Sequence, residues 1–383
     1  MEKSRYFNHH KATVTLMLDD FSLTATTIHG EIQPCNDWGI GLDGQYSLYQ
    51  YLTTNLLAKY PEIKGSIFYP LHQHGVQHQK AGYQVSFARN YSNLAAFIQR
   101  VSPQFEFAFH GLVHGRYINS ENPVIKGNFQ HEFEYLTLQA AETIKQDITD
   151  MEQVLGTRFF GGKYPGYIAS KHAPQIIEAL GFKWWMSSAI MMNHQHKGNC
   201  HGYFGSNNNI VDLPTNISGD CFNPNVDLGG ATLLRLLKNK LDTFNLERYI
   251  HFLYEQQFII SIQEHYMGLR TDGRRQRPNI YDDISSLDKF FGLLRGLDLW
   301  FATCTQIAHY VESYDNTEIL QLGDGTYRIT YQGTWETMFL TVCAPTKTLR
   351  NVSTGQLEKG IYRNGLWVFN NIPQGIYQEL YGY

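Results

Sequence analysis

The chain has 383 residues, a formal net charge of −4 and 31 Lys plus Arg scattered along its length. That pattern excludes the basic stripe by which a protein engages nucleic acid. One large domain and a small one are expected at this size, and 14% aromatic residues stock a large core and suit stacking against sugar rings.

The cysteines, Cys35, Cys200, Cys221, Cys304 and Cys343, are odd in number and lack C-x-x-C spacing. They predict reduced thiols, with neither a disulfide framework nor a thiolate zinc site. The first ten residues lack the apolar stretch of a secretory signal, and no later segment is long enough to span a bilayer. A cytoplasmic location without a membrane span is the corresponding expectation.

Taken in chain order, short apolar runs rich in β-branched and aromatic residues predict strands over Thr13–Leu18, Gly65–Tyr69, Phe105–Phe109, Arg158–Phe160, Phe182–Met186, Asn209–Leu213, Phe258–Ile262 and Leu299–Thr303. Helical periodicity between them predicts helices over Leu48–Lys59, Ser92–Arg100, Glu134–Leu155, Pro174–Leu180, Ala231–Tyr254, Ile284–Leu294 and Cys304–Val311. Such alternation predicts parallel strands with helical crossovers, here an α/β distorted barrel of seven or eight units over residues 1–315. Chemistry on such a barrel sits at the C-terminal ends of the strands. Beyond Ser313 the helical period disappears, and turn signals such as Gly323-Asp324-Gly325 and Asn364-Gly365 predict a small all-β, sandwich-like domain over 316–383. No catalytic candidate falls within it.

Three predicted strands end in titratable residues. The first ends in Asp19-Asp20, two adjacent carboxylates that repel each other unless something cationic lies close by. The third runs into His110-Gly111-Leu112-Val113-His114, two imidazoles at the spacing that lets both bind one metal ion. Gly111 stands where the zinc proteases of the H-E-x-x-H type carry their glutamate. With Asp20 the pair makes a set of two His and one carboxylate, leaving positions open for water and substrate. The fourth strand leads into Gly161-Gly162-Lys163-Tyr164-Pro165-Gly166-Tyr167, a turn able to offer backbone N–H groups to an oxyanion, and Ile259 through Glu264 deliver His265 at another strand end.

In the order and spacing of these segments, residues 12–312 resemble the NodB-like polysaccharide deacetylases, a group within carbohydrate esterase family 4. Leu18-Asp19-Asp20 is similar to the first motif of that family, His110 with His114 to the second, and Ile260 through His265 to the fifth; Phe182-Lys183-Trp184-Trp185 is a candidate for the fourth. The third motif, Arg-x-Pro, is matched at Tyr164 and Pro165, with Lys163 in the place of arginine. Arginine offers a planar fork to a carboxylate, whereas lysine offers a point charge. The resemblance implies a deacetylase acting on the N-acetyl group of a carbohydrate. Asp19 would be the general base, Asp20, His110 and His114 the ligands of a divalent metal (zinc, with cobalt or nickel as alternatives), His265 the general acid, and Lys163 the support of Asp19. Tyr164, Pro165, Gly166 and Trp184 would line the substrate site. Trp38, in the long loop after the first strand, is a further aromatic able to stack on a sugar.

Other residues carry weaker signals. His72, His74 and His78 are spaced for no single face, and His194, His196, Cys200 and His201 crowd a loop rich in Gly and Asn. Within enzymes the alternatives are another amide hydrolase on the same barrel or a glycoside hydrolase, and the latter needs two carboxylates flanking one bond, which neighbours pointing different ways suit poorly. A silent carbohydrate-binding protein is the alternative from outside enzymology.

Overall fold

Ala12–Asp19 (β1) is buried along all eight residues, as a strand with neighbours on both faces must be. It lies within a computed structural model that describes residues 1–21, 24–28, 31–32, 48–71, 84–87, 91–117, 129–188, 206–207, 210–223, 233–265 and 276–381. Further strands are Gly65–Tyr69 (β2), Phe105–Phe109 (β3), Gly161–Lys163 (β4), Trp184–Ser188 (β5), Ile210–Thr215 (β6), Ile217–Ser218 (β7), Ile259–His265 (β8) and Leu299–Phe301 (β9). They run parallel in the order β6–β5–β4–β3–β2–β1–β8–β7, with β9 on the first half of β1. Helices join them, among them Tyr91–Val101, Ala141–Leu155, Ala173–Leu180, Leu233–Glu255 and Ile280–Leu294, giving an α/β fold on a mostly parallel sheet.

A single residue separates the two edge strands of this order. Asn216 lies between β6, which pairs with β5, and β7, which pairs with β8. Its side chain donates to the Ile259 carbonyl (2.7 Å) and accepts from the Ser261 N–H (2.9 Å), while the Ser261 hydroxyl donates to the Pro214 carbonyl (2.5 Å). One stretch of chain therefore joins both ends of the parallel run, beyond which Ser206–Asn207 adds an antiparallel edge to β6.

Two of the differences from the sequence expectation bear on the site. The fourth strand lies at Gly161–Lys163 rather than Arg158–Phe160, because its neighbours press in on it: a Cβ on Gly161 would come within 2.2 Å of the Trp184 ring, and one on Gly162 within 2.4 Å of the Phe109 carbonyl. Only glycine allows that approach. The helix expected over Glu134–Leu155 is divided into Glu132–Tyr135 and Ala141–Leu155, with Leu136 extended between them. The longer helix buries Ala141, Ile144, Ile148, Met151 and Leu155, one stripe at helical spacing, and ends at Gly156 in the left-handed conformation.

The last part of the chain forms antiparallel sheets, as its texture predicts. One contains Thr317–Gly323, Thr326–Tyr331, Gly375–Leu380, Thr348–Asn351 and Leu357–Lys359; the other contains Thr341–Ala344, Leu366–Asn370 and Ile361–Arg363. The second sheet also takes Glu2–Lys3 from the opposite end of the chain, paired with Thr341–Ala344. Phe339 packs on Trp300 and Tyr310 at ring separations of 5.9 and 5.7 Å, and Trp335 stacks on His309 at 4.3 Å. Glu312, buried, accepts from the Thr334 N–H and the Tyr331 hydroxyl. Each large side chain uncovered there forfeits about 1.5–3 kcal/mol. A chain ending at residue 315 is therefore expected to unfold roughly 5–10 °C below the full chain, or to aggregate on expression, as scanning calorimetry would show. Equal midpoints for the two chains would mean that this contact adds no stability.

Candidate active site

Where β1 leaves the sheet, Asp19 sits directly beside His265 of β8 in the strand register, and both side chains point to the same side of the sheet. The next residue, Asp20, has φ +63°, in the left-handed region that non-glycine residues rarely occupy. This turn of the backbone sends the two adjacent carboxylates in different directions, removing the repulsion that their sequence suggests.

Asp20 faces the histidine pair. Its Oδ1 lies 3.3 Å from His110 Nε2 and 3.1 Å from His114 Nε2. Among the described residues these three form the one set of His, Cys, Asp or Glu whose donor atoms all lie within 4.8 Å of one another. Asp20 Oδ1 is buried, yet neither imidazole meets it with hydrogen-bond geometry. The other nitrogen of His110, Nδ1, is 3.0 Å from the Lys163 carbonyl, which can only accept. That contact places the proton on Nδ1 and leaves Nε2 with its lone pair toward Asp20. Two imidazole nitrogens and one buried carboxylate oxygen, three donor atoms in all, fit a divalent cation. Burial alone would raise the Asp20 carboxyl, but its neighbours, the His114 charge first among them, outweigh it and hold the group well below the ordinary carboxylate range. His114 is raised in turn, Asp20 overcoming the effect of burial.

Asp19 is held apart from this trio. Lys163, fully buried, donates to Asp19 Oδ2 at 2.6 Å, and Gln263 Nε2 donates to the same oxygen at 2.8 Å. Oδ1 is buried without a hydrogen bond. Burial lowers the Lys163 ammonium, an effect that Asp19 only partly offsets, and the Phe68 and Tyr167 rings lie 5.2 and 4.6 Å from Nζ. His265 Nδ1 lies 2.8 Å from the Pro278 carbonyl, so its proton sits there and Nε2 is the nitrogen left to gain or lose a proton.

The remaining residues singled out in the sequence fall into different places. Gly166 has φ +60°, and a Cβ there would come within 2.3 Å of the His131 ring. Pro165 is buried beside Gly111, whose own Cβ would meet Pro165 at 3.3 Å. Tyr164 turns away from the trio into an aromatic cluster with Phe133 and Trp185, each at 5.2 Å. Trp184 is fully buried, and its indole N–H donates to Thr305 (2.9 Å), so it supports the sheet from within and offers no face to a ligand. Trp38, His72, His74, His78, His194, His196, Cys200 and His201 lie outside the described residues.

Sequence reasoning missed Glu132, His131, Gln263 and Tyr167. Glu132 is buried, and its carboxylate accepts the N–H groups of Leu112 (2.8 Å) and Val113 (3.0 Å), fixing the turn between the two histidines. It fills the space that a side chain at position 111 would need, with Glu132 Oε2 only 2.4 Å from a Cβ built there. Gly111, at φ +84°, is thus required twice over. The His131 ring lies 5.7 Å from that of His114.

No protein-family model matches the sequence, and no curated protein matches it. Among solved structures the chain is similar to a candidate polysaccharide deacetylase from Mycobacterium smegmatis, at 16% identity over 82% of this chain and 95% of that one, with a TM-score of 0.43. A family 4 acetyl xylan esterase from Clostridium thermocellum, in complex with a cobalt ion, is 12% identical over 77% of this chain and 89% of that one, with a TM-score of 0.35. A GH57-type branching enzyme from Pyrococcus horikoshii is 8% identical over 77% of this chain and 69% of that one, with a TM-score of 0.44. Polysaccharide deacetylases are thus among the structures similar to this chain, and the case for a chemistry rests on the site itself.

Proposed function

We propose that the protein is a metal-dependent hydrolase that removes the N-acetyl group from an acetamido sugar or a precursor of a larger glycan, working at the mouth of a distorted barrel whose seam is at Asn216. One observation carries this reading: a three-donor cradle of Asp20, His110 and His114 stands beside a separate carboxylate, Asp19, one oxygen of which is free. Two imidazoles and one carboxylate suit zinc, cobalt or nickel. Such an ion, when bound, would polarise the acetyl carbonyl and acidify water.

The chain's own residues supply the rest. Asp19 Oδ1, the oxygen without a hydrogen bond, takes the proton from the attacking water, while Oδ2 stays bound to Lys163 and Gln263. The Gly166 N–H is the proposed donor to the oxyanion of the tetrahedral intermediate. His265 Nε2 passes a proton to the departing sugar amine, its ring held by the Pro278 carbonyl. That role requires the protonated imidazole, and burial pulls His265 below its ordinary 6.5 in spite of Asp20 and Asp19. The protonated form is therefore lost as pH rises through a value lower than that of a free imidazole, so the alkaline limb of kcat against pH is expected on the acid side of 6.5. An alkaline limb that is unchanged in His265→Ala would remove His265 from this role.

Acetate release from N-acetylated chitooligosaccharides, measured on protein loaded with zinc or cobalt, is the primary test. Binding of those sugars without acetate release would instead mark a carbohydrate-binding protein. His110→Ala and His114→Ala are expected to lose metal and turnover together, since each removes one of three ligands. Asp19→Asn should retain stoichiometric metal by elemental analysis while kcat falls by about 10²- to 10⁴-fold. Near-normal turnover in Asp19→Asn would reverse the assignment of the two aspartates.

A further inference from the structure

Both hydrogen bonds to Asp19 fall on the same oxygen, and they arrive from opposite sides. Lys163 reaches Oδ2 from β4, three strands away in the sheet order, and Gln263 reaches it from β8, the neighbour of β1. An ammonium on a flexible stem fixes charge but not orientation, since it can follow a carboxylate as it turns. A second donor on the same atom removes that freedom.

The Gln263 amide has a defined orientation. Its Oε1 lies 2.6 Å from the Tyr167 hydroxyl, which is also 2.7 Å from Thr215 Oγ1. An amide carbonyl only accepts, so the phenolic proton goes to Gln263 and the Thr215 hydroxyl is left to donate to Tyr167. The reverse amide orientation would set a carbonyl oxygen against the Asp19 carboxylate and leave the phenol opposite an N–H. Tyr167 itself is held at φ +55°, in the left-handed region, and its ring also lies 4.6 Å from the Lys163 ammonium. The same tyrosine therefore touches both donors that hold Asp19.

We propose that Gln263, its amide oriented by Tyr167, is a positioning residue that pins Asp19 through Oδ2, so that Oδ1 alone meets the reacting water. Gln263 supplies the second donor that an arginine at position 163 would bring in its own fork. The proposal deepens the deacetylase reading and rests on it for its catalytic meaning.

Gln263→Leu preserves volume and removes both hydrogen bonds; Tyr167→Phe keeps the ring beside Lys163 and removes only the hydroxyl. In Gln263→Leu, kcat is expected to fall about 10- to 100-fold, the range for a lost hydrogen bond to a charged group, with KM within about twofold and metal content unchanged. Tyr167→Phe should show a smaller loss of the same kind, roughly 3- to 10-fold. Adding Lys163→Arg to Gln263→Leu should recover at least about fivefold, because a guanidinium can donate twice. A kcat in Gln263→Leu within twofold of the unaltered protein, or no recovery by Lys163→Arg, would overturn the proposal in favour of packing alone. A second measurement needs no turnover: in ¹⁵N spectra the Gln263 side-chain amide protons should exchange slowly with solvent in the unaltered protein and rapidly in Tyr167→Phe. Rapid exchange in both would also overturn it. Slow exchange in a protein that releases no acetate would leave the clamp standing and sink the deacetylase reading.

Discussion

The site depends on a buried cation. Lys163 is fully enclosed, its ammonium lies on Asp19 at 2.6 Å, and its own carbonyl accepts a hydrogen bond from His110 Nδ1–H. Removing one partner of such a buried pair costs about 3–5 kcal/mol, because the other charge is left desolvated and alone. One residue thus holds Asp19, the proposed base, and sets the tautomer of His110, a proposed metal ligand. Its placement follows from the two glycines before it, which let Trp184, Trp185 and Phe109 close over β4 and set the register that turns Lys163 inward.

Around that cation the backbone is held in conformations that L-residues avoid. Asp20, His114 and Tyr167 all have φ near +60°, and Gly111 and Gly166 join them on the positive side. For the three non-glycine residues such positions cost about 1–3 kcal/mol each and persist only where surrounding contacts over-determine them. Here the contacts are specific: Glu132 on the Leu112 and Val113 N–H groups, and Thr215 and Gln263 on the Tyr167 hydroxyl. The strain lies at the ends of β1, β3 and β4, where the sheet delivers its polar residues.

Strands without internal punctuation were legible in the sequence. Gly65–Tyr69 and Phe105–Phe109 have the bounds that their apolar runs predict. The bounds of β4 were not legible, because two glycines read as a turn until the indoles that need their space are known. Asp20, His110 and His114 could be grouped because each follows the end of a predicted strand and the two histidines are four residues apart, although the segment between them folds as a turn and not as a helix. Glu132 could not, being 20 residues from the N–H group it binds, with no local pattern to link them. Gln263 and Tyr167 lay within segments already noted, but their contact spans 96 residues and depends on which way each side chain points. Trp184 and Trp185 show the same limit: the sequence offers two adjacent tryptophans, and the pleat alone decides which one faces Phe68 and which one faces Phe133.

The pairing of Glu2–Lys3 with Thr341–Ala344, reinforced by the Tyr310 hydroxyl on the Ser4 carbonyl, sets an order of events during synthesis. Glu2–Lys3 cannot find its partner until more than three hundred further residues have been made. β1, only nine residues beyond Lys3, is the strand on which β2, β8 and β9 assemble, so its leading end stays untethered while those strands arrive. Contacts of such long sequence separation slow folding, because the loop they close must be ordered before they form. Closing that sheet is thus a late event in folding, and the contact that ties Glu2–Lys3 down is missing while the parallel strands pair around β1.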